Sequence, residues 1–126
     1  MLFDQIHHIA IIGTDYAASR HFYVDLLGFR VIRENFRQDR GDYKIDLACG
    51  TSELELFIVP NAPARPSYPE ACGLRHLAFR VESVEAAVEA LRARGIPTEP
   101  VREDAYTQKK MTFFRDPDGL PLEIHE

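Results

Sequence analysis

The sequence predicts an α+β fold made of two copies of one folding module, each with the element order βαβββ. Three observations predict it. A strand, a helix and three further strands can be traced twice along the 126 residues. His8 and Glu55 are 47 positions apart, and His76 and Glu123 repeat that separation. The second pair lies 68 positions after the first, as expected for an internal repeat. Since a half of about 60 residues is marginal alone, we expect a single domain over residues 1–126.

The first module is expected over residues 4–60. Residues 6–12 form a nearly continuous apolar run, typical of a strand covered on both faces. Asp15 is suited to cap the helix that follows, and Gly28 to end it. Three strands are then predicted, at 29–36, 43–49 and 53–59.

The second module is expected over residues 75–126. It begins with a strand at 75–81, and Ser83 and Gly95 mark the start and the end of a helix. Strands are predicted at 97–103, 109–115 and 120–125. The motif Asp-Pro-Asp-Gly at 116–119 predicts a type I turn before the last strand. Glu55 and Glu123 therefore fall on the last strands of their modules.

A proline-spaced segment separates the modules. Prolines recur every third residue from 60 to 69, a spacing that favours an extended path without internal hydrogen bonds. We therefore place a stiff linker over residues 60–74.

Composition excludes several classes of function. The net charge of −5 and the pI of about 5.5 argue against a nucleic-acid surface. The apolar runs are too short to span a membrane, and the first residues lack the pattern of a signal peptide. Cys49 and Cys72 are interpreted as reduced thiols. These features indicate a cytoplasmic protein without nucleic-acid or membrane partners.

His8, Glu55, His76 and Glu123 are the candidate metal ligands. Two imidazoles and two carboxylates suit Zn(II), Ni(II), Fe(II), Co(II) or Mn(II), and leave positions open for water or substrate if the ion is octahedral. A carboxylate in an apolar strand needs a partner, because an unpaired buried charge costs several kcal/mol. Each glutamate lies between two apolar residues. The repeat therefore predicts a four-ligand site between the module copies.

The other histidines fit this site less well. His7 is expected to point away from His8 on the strand. His21 lies in the predicted helix among charged residues, and His125 lies next to the chain end. We assign none of them to the metal.

The chain resembles the vicinal oxygen chelate superfamily, and within it the short bacterial glyoxalase I type. The resemblance covers nearly the whole chain. It rests on His-Ile-Ala-Ile at 8–11, Asp15, Phe22-Tyr23, Leu-Gly-Phe at 27–29, Glu55-Leu56, residues 73–79, and Asp-Pro-Asp-Gly at 116–119 leading to Glu123. It implies an open, cupped, mixed eight-stranded sheet around one divalent ion, with Ni(II) or Zn(II) expected. It also implies a homodimer in which His8 and Glu55 of one chain meet His76 and Glu123 of the other.

The ligand set indicates a reaction class within this superfamily. Two His and two Glu is the pattern of bacterial glyoxalase I, whereas related dioxygenases and fosfomycin-modifying enzymes lack a counterpart of Glu55, and epimerases carry Gln there. The resemblance implies isomerisation of the methylglyoxal–glutathione hemithioacetal through a metal-stabilised enediolate. Glu123 would be the catalytic base, with Glu55 its counterpart across the ion.

The substrate contacts depart from this pattern. Ile12 and Val59 stand where glyoxalase I carries an Arg and an Asn that contact glutathione, and Lys109, Lys110 and Arg75 are candidates to compensate. Two alternatives stay open: a non-catalytic, ligand-sequestering module resembling bleomycin-resistance proteins, and another enzyme of the superfamily, a dioxygenase or an epimerase.

Overall fold

A computed structural model describes all residues from 1 to 126. Its contacts divide the chain into two units, Met1–Pro63 and Ala64–Glu126. Each unit contains one mixed four-stranded sheet and one helical segment in the order βαβββ. The predicted α+β class with two such modules is therefore confirmed. None of its helices combines the length and the apolar character that crossing a bilayer requires.

The first unit builds its sheet around β4. The elements are β1 (His8–Gly13), α1 (Tyr16–Arg20), β2 (Arg30–Arg37), β3 (Asp42–Cys49) and β4 (Ser52–Ile58). The strand order is β1-β4-β3-β2, with β1 parallel to β4 and the other pairs antiparallel. Asp15 begins α1, because its carboxylate accepts a 2.7 Å hydrogen bond from the backbone N–H of Ala18. The helix continues as a π-helical segment, His21–Leu26, and Gly28 ends it at φ +81°.

The second unit repeats this topology. Its elements are β5 (Leu77–Arg80), α2 (Val84–Ala93), β6 (Arg102–Glu103), β7 (Lys110–Arg115) and β8 (Pro121–His125). The strand order is β5-β8-β7-β6, and β5 is parallel to β8. Ser83 caps α2 through a 3.2 Å bond from the N–H of Ala86 to its hydroxyl.

Alternation along the strands separates an apolar face from a polar face in each sheet. In β4, Leu54, Leu56 and Ile58 are buried on one face, so the intervening residues share the other. Since β1 and β4 are parallel neighbours, Ala10 lies directly opposite Glu55 on that other face. The second unit has the same arrangement.

In the second unit, Leu122 and Ile124 of β8 are buried on the apolar face. Ala78 of β5 lies opposite Glu123. Parallel pairing of a module's first and last strands is therefore what brings a histidine and a glutamate together, although they are 47 residues apart.

The predicted strand at 97–103 is wrong in extent. Only Arg102–Glu103 pairs regularly with β7, because Pro97 and Pro100 have no N–H to donate. The segment nevertheless runs beside β7. The N–H of Glu99 donates to the carbonyl of Phe113 at 2.9 Å.

The linker between the modules is not continuously extended. Residues 67–70 form a turn, and Tyr68 has a φ of +52°, which polyproline helices do not contain. The regular spacing of the prolines therefore wrongly predicted that the whole linker is extended.

Candidate metal centre

The first unit brings His8 and Glu55 together on the polar face of its sheet. The Nε2 atom of His8 lies 3.7 Å from Oε2 of Glu55. Glu55 is buried at 9% exposure. The imidazole, by contrast, is 44% exposed and can be reached from solvent.

His7 contacts the other ring nitrogen of His8. The two Nδ1 atoms are 2.9 Å apart, and the rings meet edge to face. Metal-bound histidines usually hold their second nitrogen in such a hydrogen bond, which fixes the ring. Strand alternation did not predict this contact, because β1 begins at His8 and the alternation does not extend to His7.

The second unit brings His76 and Glu123 together in the equivalent way. Nε2 of His76 lies 2.8 Å from Oε2 of Glu123. Glu123 is 7% exposed. Its cross-strand neighbours, Ala78 and Phe113, have no side-chain donor, so the polar partner of Glu123 is His76. The ring of His76 also packs edge to face on Phe113, with centroids 5.0 Å apart.

Both pairs fit a divalent ion. Ligand atoms about 2.0–2.2 Å from one ion and at right angles to each other are about 3 Å apart, between the two observed separations. Each pair supplies one imidazole nitrogen and one buried carboxylate, a donor set suited to first-row metals. A single chain nevertheless brings together no group of three or more His, Cys, Asp or Glu side chains that could hold an ion.

The pair in the first unit lies in a charged environment. Lys44 places its Nζ atom 3.6 Å from Oε1 of Glu55 and 3.0 Å from Oδ1 of the buried Asp46. Arg33 also binds Asp46, with its Nε atom 2.5 Å from Oδ2. Glu55 therefore already has a cation beside it, on the side away from His8.

The pair in the second unit has apolar neighbours at the corresponding places. Phe113 faces Glu123 where Asp46 faces Glu55, and Met111 corresponds to Lys44. No ammonium group competes for Glu123. The two pairs are thus equivalent in position and different in electrostatics.

The remaining histidines have other partners. His21 is exposed and pairs with Asp25 at 2.9 Å. His125 contacts the carbonyl of Glu126 at 2.7 Å through Nδ1 and lies 3.6 Å from Asp104 through Nε2. Neither histidine belongs to one of the two His–Glu pairs.

A cleft in the second unit was not found from sequence. Its volume is about 90 Å³, and its lining includes Arg75, His76, Glu99, Arg102, Phe113 and Arg115. Only Arg75 had been singled out. Arg102 and Arg115 lie on or beside irregular strand ends, so no periodic pattern marked them.

The other expected substrate contacts lie elsewhere. Lys110 binds Glu85 of α2 at 2.6 Å and does not line the cleft. Ile12 is 60% exposed and shares the polar face with His8. The surface beside His8 therefore offers apolar contact and no charge at that position.

The fold and the repeated His–Glu pairs define a two-module protein of the glyoxalase type. Residues 5–124 match the Glyoxalase/Bleomycin resistance protein/Dioxygenase superfamily. The chain belongs to this superfamily.

Relatives cover nearly the full length of the chain. The uncharacterized protein YaeR of Escherichia coli is 56% identical over 97% of this chain and 95% of its own. A lactoylglutathione lyase of Haemophilus influenzae is 30% identical, over 97% of this chain and 92% of its own. The crystal structure of a glyoxalase family protein from Enterococcus faecalis superposes with a TM-score of 0.96 at 59% identity, covering 100% of both chains.

Proposed function

We propose that this protein is a metal-dependent lyase or isomerase of glyoxalase I type that acts in the cytoplasm. It moves a proton between two neighbouring carbons of an α-hydroxycarbonyl compound. The methylglyoxal–glutathione hemithioacetal is the first substrate to test, which would make the protein a methylglyoxal-detoxifying enzyme. The lactoylglutathione lyase among its relatives supports this choice.

The observation that carries the proposal is the repetition of a buried carboxylate beside an imidazole. Glu55 and Glu123 are at most 9% exposed, and each faces a histidine Nε2 atom. Lys44 already lies beside Glu55, but Glu123 has no such cation, and a buried carboxylate without a cationic partner costs free energy. A Ni(II) or Zn(II) ion bound by both pairs provides that cation.

In the proposed assembly, two chains form a homodimer with shared sites. His8 and Glu55 of one chain and His76 and Glu123 of the other hold each ion.

The reaction assigns different tasks to the residues. The bound ion would supply positive charge that lowers the cost of removing a proton next to a carbonyl group. Glu123 takes the proton from C1 and returns it to C2, while the hydroxyl proton passes from the oxygen on C1 to the oxygen on C2, so that C1 is oxidised, C2 is reduced and no external redox partner is needed. Glu123 suits this task because it is buried and has no lysine beside it. Glu55, 3.6 Å from the ammonium group of Lys44, serves as a ligand.

Metal analysis followed by an activity assay tests the proposal. Chelator-treated protein is reconstituted with Ni(II), Co(II) or Zn(II), and turnover of the hemithioacetal is followed. We expect one ion per chain and metal-dependent turnover. Absence of a bound ion after reconstitution would refute the proposal. A bound ion without turnover would refute this substrate and favour another superfamily reaction or a ligand-sequestering protein.

The variant Glu123→Gln tests the assigned base. We expect it to abolish turnover and to retain much of the metal, because the amide oxygen still binds an ion but cannot accept the proton. Glu89→Gln, at an exposed position of α2, removes the same charge as a control. Unchanged activity in Glu123→Gln would show that the base is another group.

A further inference from the structure

The cleft of the second unit contains three arginines next to one of the candidate metal ligands. Arg75 immediately precedes His76 in the chain, and both residues line the cleft. Arg102 and Arg115 also line the cleft, from β6 and from the end of β7.

Phe113 links Arg102 to the histidine. The guanidinium carbon of Arg102 lies 5.3 Å from the centre of the Phe113 ring. The ring of His76 packs on the same phenyl group at 5.0 Å. A group bound by Arg102 would therefore be separated from the His76–Glu123 pair by about the width of the Phe113 ring.

The charges in the cleft are not balanced among themselves. Glu99 forms ion pairs with two of the arginines: its Oε1 atom lies 3.3 Å from Arg102 and its Oε2 atom 3.7 Å from Arg115. Arg75 has no carboxylate within ion-pair distance. Glu70, the other acidic side chain of the lining, lies 3.8 Å from Arg65 and is engaged there.

Stability does not explain these arginines. The side chains of Arg102, Arg115 and Glu99 are 50%, 42% and 40% exposed. Ion pairs at such exposure contribute little to the free energy of folding. Their arrangement around a concave surface beside the reacting pair is better explained by binding.

We propose that this cleft binds the anionic group, a carboxylate or a phosphate, of a small substrate whose reacting carbons lie against His76 and Glu123. The inference rests on the proposed function for the position of those carbons. The planar guanidinium fork matches both anions. On binding, the anion takes the place of Glu99 as the partner of Arg102 and Arg115, and engages the unpaired Arg75. A cleft of about 90 Å³ holds one such group and not a whole drug-sized ligand.

Anion titration of the chelator-treated protein tests this inference without requiring metal or turnover. Inorganic phosphate and glycolate serve as probes, glycolamide is the neutral control, and binding is measured by calorimetry at low ionic strength. We expect saturable binding of at least one anion and none of glycolamide. We expect Arg75→Gln, Arg102→Gln and Arg115→Gln each to weaken binding about ten-fold. Arg94→Gln, at the exposed end of α2, is the matched charge control and should bind as the wild type does.

The outcomes separate this inference from the proposed function. Whichever anion binds more tightly identifies the substrate group as carboxylate or phosphate. The inference is overturned if neither anion binds, if the triple arginine variant still binds, or if Arg94→Gln weakens binding equally. Failure of metal reconstitution, with anion binding intact, would instead count against the lyase proposal alone. Circular dichroism of each variant verifies that loss of binding does not reflect loss of folding.

Discussion

Lys44 is the residue that most clearly distinguishes the two His–Glu pairs. Its ammonium group lies 3.6 Å from Glu55, and no lysine corresponds to it beside Glu123. A fixed positive charge so near a metal ligand opposes the binding of a divalent ion. At the proposed metal site, Lys44 would therefore lower the affinity for a divalent ion.

The variant Lys44→Met should bind divalent ions more tightly. Removing the ammonium group removes its repulsion of the ion, and we expect an affinity roughly three- to ten-fold higher. Competition with a chromophoric chelator measures this change. Lys109→Met, at an exposed position, controls for the change in net charge. Equal affinities in Lys44→Met and the wild type would show that the lysine side chain moves away when the ion binds.

Asp42 gives the first unit a pH-dependent contribution to stability. Arg37 donates to both of its oxygens, at 2.6 and 2.5 Å, and this hydrogen bonding lowers the pKa of the Asp42 carboxyl below its ordinary value. A lowered pKa in the folded state stabilises the protein above the ordinary aspartate range. That contribution is lost as the pH falls through the lowered value.

The variant Asp42→Asn should therefore lower the thermal midpoint at neutral pH and lose this effect in acid. Unfolding curves of both proteins between about pH 2 and 7 measure the difference. Asp4→Asn, in the exposed first residues, serves as the control. A difference between Asp42→Asn and wild type that is the same at every pH would contradict an ionic origin.

At the scale of elements, the turn between β7 and β8 positions Glu123. Asp116 is 6% exposed, and its Oδ1 atom accepts hydrogen bonds from the N–H groups of Asp118 and Leu120, both at 2.9 Å. These bonds fix where β8 starts. They thereby fix which residues of β8 face the polar side of the sheet.

Replacing Asp116 by Ala should destabilise the protein by about 1–3 kcal/mol, because two backbone donors lose their acceptor. Urea denaturation gives the free energy of unfolding. Asp116→Asn keeps an acceptor oxygen and should lose clearly less. If both substitutions cost the same, the charge of Asp116 matters more than its hydrogen bonds.

Element order could be predicted because local signals were strong. Asp15 and Ser83 cap their helices as the sequence indicated, and Gly28 ends the first helical segment. The predictions that were wrong concern segments whose path depends on the local backbone geometry. The irregular strand near Glu99 and the turn at Tyr68 both lie next to prolines. Because proline also occurs in extended segments, its presence in the sequence did not show whether a segment would be extended or turned.

At the scale of the whole molecule, each His–Glu pair could be anticipated and its surroundings could not. Repeat spacing identifies His8, Glu55, His76 and Glu123, since equal positions in two modules share a place in the sheet. The arginine cleft combines residues from a linker end, a short strand and a strand terminus. Only the folded chain brings such residues together, so no sequence period could reveal them.

Subunit complementation tests whether two chains share each site. The variant His8→Ala/Glu55→Ala is mixed with His76→Ala/Glu123→Ala under conditions that exchange subunits. Each mixed dimer then contains one intact ligand set, so about a quarter of the wild-type metal content and activity should return. Each variant alone should have neither. No recovery, with mixed dimers verified by mass spectrometry, would place all four ligands of a site on one chain.

The alanines opposite the two glutamates have a consequence for how this protein can change. Ala10 lies beside Glu55 and Ala78 beside Glu123, and both methyl groups are on the exposed face. Each side chain is a single methyl group, which takes up little space beside its His–Glu pair and contributes no donor atom. At the proposed metal site, these alanines would therefore set the width of the access path, and the ligands would set which ion is bound. Replacing these two alanines by larger residues would narrow that access path and leave every proposed ligand unchanged.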